Sequence, residues 1–167
     1  KLKPSETKQE AYRNKRDQQN SLLELYRLRK AIRDVMTYTN ATAIRIHTDF
    51  GYACCFCRDQ YPNPADLKQH NVRNHKADIK NFMQRTELAK FFVKMDVTSL
   101  KCNLCRQDFS KTDDIIDHLN DEHQKNIYSG IKKLIFPFTF DSDKLRCSIC
   151  SKFSHTFKML QEHMHCH

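Results

Sequence analysis

Six of the eight cysteines in this 167-residue chain fall in pairs separated by two residues, and two histidines follow each pair. Cys54 and Cys57 precede His70 and His75; Cys102 and Cys105 precede His118 and His123; Cys147 and Cys150 precede His163 and His167. Twelve residues separate the second cysteine from the first histidine in all three sets. The sets start at 54, 102 and 147, so the pattern is an internal repeat with periods of 48 and 45 residues. A tight turn can present two sulfurs to one ion, and a helix can bring two imidazoles from the other side to close a tetrahedron. In a secreted chain so many cysteines would suggest disulfides; pairs one turn apart, followed by histidines, read instead as thiolate metal ligands in a reducing compartment.

Other residues compete for these places. Cys55 leaves one residue before Cys57, too few for the turn. His165 lies two from His163 and points to the opposite helix face, and Cys166 offers a variant set at a less usual spacing of three. With three ligand sets already complete, Cys55, Cys166, His47 and His155 read as ordinary surface or packing residues. Asn40-Ala41-Thr42 matches a glycosylation sequon and reads as a chance match.

The elements that must position these ligands leave their own marks. Tyr61 and Phe109 lie four residues past the second cysteine of their sets, Leu67, Ile115 and Leu160 lie ten past it, and Tyr52, Leu100 and Leu145 stand two before the first cysteine. An aromatic from a hairpin and an aliphatic from a helix make a small core. Asn63-Pro64 reads as an N-cap with proline at the first helical position, and Ser110-x-x-Asp113 resembles a capping box with Asp for Glu. In the third set the aromatic is Phe153, one residue early, so either that hairpin differs locally or Phe157 substitutes. Histidines five apart, as in the first two sets, are about 140° apart at ~100° per residue, which calls for a tightened or bulged last turn; His163 and His167, four apart, need none.

Residues 52–75, 100–123 and 145–167 thus resemble C₂H₂ zinc fingers. The resemblance implies three ββα modules, each closed around one structural zinc ion, and no catalysis. It also implies that helix residues seven, five, four and one before the first histidine face DNA bases. In the first module these are Asn63, Ala65, Asp66 and Gln69, of which Asn and Gln suit adenine edges. In the second they are Lys111, Asp113, Asp114 and Asp117, a poor face for phosphate-rich DNA. In the third they are Thr156, Lys158, Met159 and Glu162. The 26 and 23 residues between the last histidine of one set and the first cysteine of the next far exceed the family's short joints, so contiguous reading at ~3 base pairs per finger is not expected.

Composition sets the remaining bounds. The formal charge of +9 favours polyanionic partners, yet it is uneven: residues 1–47 carry 11 basic and 5 acidic side chains, residues 102–123 carry 2 and 6. Apolar residues come in short clusters, which argues against one shared core. No run is long enough to cross a membrane, the apolar stretch at Leu134-Ile135-Phe136 stopping at Pro137. Neither a Gly-rich phosphate loop nor a metalloprotease helix motif is present. A first residue of Lys and a last residue that is itself a ligand suggest a fragment of a longer array.

Leu22, Leu25, Leu28, Ile32, Val35 and Met36 recur at helical spacing, so an amphipathic N-terminal helix is expected. Before each module sits an apolar cluster: Ile44 and Ile46; Phe91, Phe92, Val93 and Met95; Phe136, Phe138 and Phe140. The alternation in Phe136-Pro137-Phe138-Thr139-Phe140, followed by a turn at Asp141-Ser142-Asp143, predicts an extra strand folding back on the hairpin, most clearly in the third module. A loosely packed linker is the alternative. The expected organisation is therefore small α+β beads on a chain: a basic helical segment at 1–47, modules at 48–76, 100–123 and 145–167, and linkers at 77–99 and 124–144. The expected function is a nuclear, zinc-dependent DNA-binding regulator of transcription. A protein-interaction array and an RNA-binding protein are the alternatives, and no membrane or small-molecule substrate is expected.

Overall fold

A computed structural model describes residues 4–48, 50–83, 92–140, 145–147 and 149–167, with side chains from residue 10 onward except at 46–48. Phe91, the Asp141-Ser142-Asp143 turn with Lys144, and the side chains of Ile46 and His47 lie outside the described residues. Helix α1 (Pro4–Tyr38) leads, followed by β1 (Thr42–Thr48), β2 (Gly51–Cys54), β3 (Gln60–Tyr61) and α2 (Pro64–Asn74). Then come β4 (Val93–Asp96), α3 (Thr112–Asp121), β5 (Ile135–Thr139), β6 (Leu145–Cys147), β7 (Phe153–Ser154) and α4 (Phe157–Met164).

The beads-on-a-chain expectation is wrong. The seven strands form one curled, mixed sheet in the order β3-β2-β1-β4-β5-β6-β7. The segments expected to be linkers cause this, because they contribute β4 and β5. Strand β1 pairs antiparallel with β2 of the first module's hairpin and, on its other edge, with β4. Strand β5 pairs antiparallel with β6 of the third module, placing Phe138 opposite Cys147. The two halves join where β4 and β5 run parallel, Val93 opposite Ile135 and Asp96 opposite Phe138. A parallel pair needs a crossover of a dozen residues or more. Here that crossover contains the whole second module.

Proline within a sheet removes a donor, yet Pro137 sits in β5. The bonds Val93 N–H to Leu134 O and Val97 N–H to Phe138 O set the even-numbered residues of β5 toward β4. The missing N–H of Pro137 therefore falls on the side away from β4, ahead of the first described β5–β6 pair. Gly51, at φ +117°, closes the β1–β2 turn; a Cβ there would meet the Tyr61 carbonyl oxygen at 2.2 Å.

Alternate residues of a strand face opposite sides of a sheet, and each side here has its own core. On one, Val93, Met95 and Ile135 pack with Ile32, Val35 and Met36 of α1 and with Ile115, Ile116 and Leu119 of α3. On the other, Phe136 and Phe138 pack with Leu67 of α2 and with Phe157, Leu160 and Met164 of α4. Both cores draw on residues from several modules, so the argument from composition against shared cores fails. The apolar clusters are short, but lining up in register makes them additive. Helix α1 is buried only toward its end; Leu22, expected in its apolar stripe, is exposed, as are Tyr12, Leu23 and Tyr26. No described helix is long and apolar enough to cross a membrane.

Local signals held in part. Asn63 caps α2, its side chain accepting from the Ala65 N–H at 3.0 Å, with Pro64 next. The capping box at Ser110 does not form: α3 starts one residue later, with Lys111 at the N-cap and no side-chain cap. Thr156, expected to face bases, caps α4 by accepting from the Met159 N–H. In the third module Phe157 substitutes for the hairpin aromatic. It is 3 % exposed, while Phe153 points outward and Ser154 takes the inward place.

Candidate metal centres

Each cysteine pair sits on the same kind of turn. The N–H groups of Cys54, Cys102 and Cys147 bond to the carbonyls of Asp59, Gln107 and Lys152, five residues on, at 2.9–3.0 Å. Arg106 and Ser151, four residues past the first cysteines, take positive φ of 67° and 60°, a conformation more often given to glycine. The turns aim backbone N–H groups at sulfur: Phe56 to Cys54 at 3.3 Å, Asp59 to Cys57 at 3.5 Å, and Leu104 to Cys102 at 3.4 Å. At Cys57 burial raises the thiol and the Asp59 N–H bond offsets part of that rise.

The helices bring the histidines to these turns. In every set the four ligand atoms lie within 4.8 Å of one another, and each set can hold a metal ion. The closest separations are 3.3 Å from Cys57 Sγ to His70 Nε2 and 3.1 Å between the Nε2 atoms of His70 and His75. Cys105 Sγ lies 3.3 Å from His118 Nε2. In the third set Cys147 Sγ–His167 Nε2 is 3.3 Å, Cys150 Sγ–His163 Nε2 is 3.1 Å, and the two histidine Nε2 atoms are 3.3 Å apart. An ion bound tetrahedrally by N at about 2.0 Å and S at about 2.3 Å sets its donors roughly 3.3–3.8 Å apart. The spacing therefore fits a tetrahedral ion. So does His123, whose Nε2 is buried with no hydrogen-bond partner among the described residues. A buried orphan nitrogen is costly, and a metal bond would satisfy it.

Outside the ligand sets, several side chains fix the imidazoles. Tyr61 Oη lies 2.9 Å from His70 Nδ1 and Asp78 Oδ2 lies 2.7 Å from His75 Nδ1, each placed to accept the ring N–H and leave Nε2 for the ion, while Asn74 packs beside His70. Asn71, buried, places Oδ1 3.1 Å from Cys54 Sγ and donates from Nδ2 to the Ala43 carbonyl. Nothing in the sequence pattern marks Asn71, Asn74 or Asp78; Tyr61 was legible only as a core aromatic. Desolvation raises the thiols of Cys57 and Cys147 above the ordinary cysteine value, and lowers His163, which Lys152 and His167 lower further. Metal binding must displace the thiol protons, and the neutral imidazole is already its binding form.

The five-residue histidine spacing is met by leaving the helix rather than bulging it: His75 follows α2 at φ −119°, and His123 lies beyond α3. The third set also departs from the expected continuous helix. α4 ends at Met164, and His167 is reached through a tight turn in which the Cys166 N–H bonds to the His163 carbonyl. Cys55 and Cys166 join no ligand set. Asn40 of the sequon match is committed at both ends of its amide, to the Ser99 carbonyl and the Lys101 N–H.

The six residues expected to touch nucleic acid, Asn63, Asp66, Gln69, Lys111, Thr156 and Lys158, are all exposed. They do not share one face. Helices α2 and α4 pack on the same side of the sheet, α3 on the other. On α3, Asp117 is held by Lys132 at 2.6 Å. No protein-family model, no curated protein and no solved structure matches this chain.

Proposed function

We propose that the three sets hold structural zinc and that the chain is a DNA-binding regulator of the nucleus. Four protein ligands per set leave no coordination position for water or substrate, which supports a structural rather than catalytic metal. The observation that carries the DNA reading is the placement of α2 and α4 on one side of the sheet, with Gln69 and Lys158 outward, on a chain of net charge +9. DNA meets that side, with Gln69 suited to an adenine edge and Lys158 to phosphate. The second module turns away and contributes structure.

Titration of the zinc-loaded chain with duplex DNA at several salt concentrations tests this. Binding should weaken steeply with salt, and Lys158→Glu should weaken it further. Absence of salt-dependent binding, to duplex DNA or to a single-stranded RNA competitor, rules the nucleic-acid reading out. A second reading, protein interaction through α3, is favoured by the exposed Asp113 and Asp114 there.

A further inference from the structure

Between the first and second metal centres, a cleft of about 570 Å³ opens between the end of α1, helix α2 and the cysteine turn of the second module. Its volume is that of a ligand site. Apolar side chains from all three elements line it, among them Met36, Phe56, Val72, Ile79 and Leu104. Val72 and Leu104 are 52 % and 46 % exposed, so two aliphatic groups meet water where the cleft opens. Thr42, which also lines it, has a buried hydroxyl with no hydrogen-bond partner among the described residues.

The cleft is also cationic. Among the described residues, Lys76 and Arg106 line it and no aspartate or glutamate does. A second depression of about 470 Å³ shares Thr37, Lys76 and Ile79 with it and adds Lys30, Arg33 and Lys80. Its single carboxylate, Asp34, is taken by Lys30 at 2.5 Å. An apolar depression thus runs into a basic one.

The amides at the cleft are already committed. Asn103 donates to the carbonyls of Thr37 and Thr39, Asn40 bonds to Ser99 and Lys101, and Asn71 donates to Ala43. A nucleobase entering there would find its edges unread. An aliphatic or aromatic side chain asks for no such partner. We propose that these joined depressions bind an acidic peptide segment of a partner protein, an apolar side chain entering the cleft and the carboxylates beside it lying along Lys76 and Lys80. This is independent of DNA binding by α2 and α4, whose Gln69 and Lys158 take no part.

Fluorescence anisotropy of the zinc-loaded chain tests it, using a labelled synthetic peptide with Leu and Phe followed by three Glu. Saturable binding is expected, weakened about tenfold or more by Val72→Asp, by Lys80→Glu, and by serine at the two apolar peptide positions. Val72 and Lys80 are exposed, so zinc content should stay unchanged in both variants. Absence of saturable binding overturns the proposal, as does equal affinity for the serine peptide or indifference to Val72→Asp. It is equally overturned if an oligothymidine, and not the peptide, binds in a manner sensitive to Val72→Asp. Lys158→Glu should leave the peptide titration unaltered, which separates this site from the DNA reading.

Discussion

Phe138 of β5 stands opposite Cys147 of β6, so a fully buried core residue and the first ligand of the third metal set form one register pair. The ring of Phe138 lies 4.9 Å from that of Phe157, and both belong to the core that holds Leu67 of the first module. The first and third metal sets therefore share a core.

Phe138→Ala should cost about 3–5 kcal/mol, the usual penalty for emptying a core aromatic position. Urea unfolding of the zinc-loaded chain measures it. Faster amide exchange is expected in the first module as well as the third. A loss confined to residues 145–167 would mean that the modules do not share this core.

Two cysteines lie outside the ligand sets, and they should differ in reactivity. Burial, reinforced by neighbouring Cys54, pushes the Cys55 thiol up to about 12, with Arg45 and Lys94 only partly offsetting it. Cys166 is exposed. The thiolate is the nucleophile, so at pH 8 iodoacetamide should modify Cys166 first and leave Cys55 intact in the zinc-loaded chain. Peptide mass spectrometry reads the order; prior labelling of Cys55 contradicts the packing described for it.

What could be read before the fold was known follows from how local the physics is. Metal coordination fixes ligand spacing within about 25 residues, so all twelve members of the three clusters were legible. The alternation around Phe136 and Phe138 marked β5 for the same reason. The parallel pairing of β4 with β5 was not legible, because it joins Val93 to Ile135 across a whole module and leaves no spacing rule behind. Without it, the apolar segments looked like linkers and the modules like beads. Thr156 caps α4 from the helix position that the resemblance assigns to base contact, as Asn63 caps α2 from the equivalent one.

DNA binding, if it runs through α2 and α4, should tolerate changes on α3. Asp113→Asn with Asp117→Asn should leave affinity unchanged or raise it, since the second substitution also frees Lys132 from its 2.6 Å ion pair. Neutralising Arg27, Arg29, Lys30 and Arg33 of α1, which packs on the α3 side of the sheet, should likewise leave affinity and its salt slope nearly unchanged. Affinity at several salt concentrations decides both. A marked loss of sequence-specific affinity in the aspartate variant would place α3 in the DNA contact.

Native mass spectrometry at saturating zinc tests the metal centres directly. Three ions per chain are expected, two after Cys147→Ser, and chelation should remove all three together with the protected amides of the sheet. Two ions or fewer on the unaltered chain, or a sheet that keeps its protection when every ion is gone, would contradict a fold stapled by three closed metal sites.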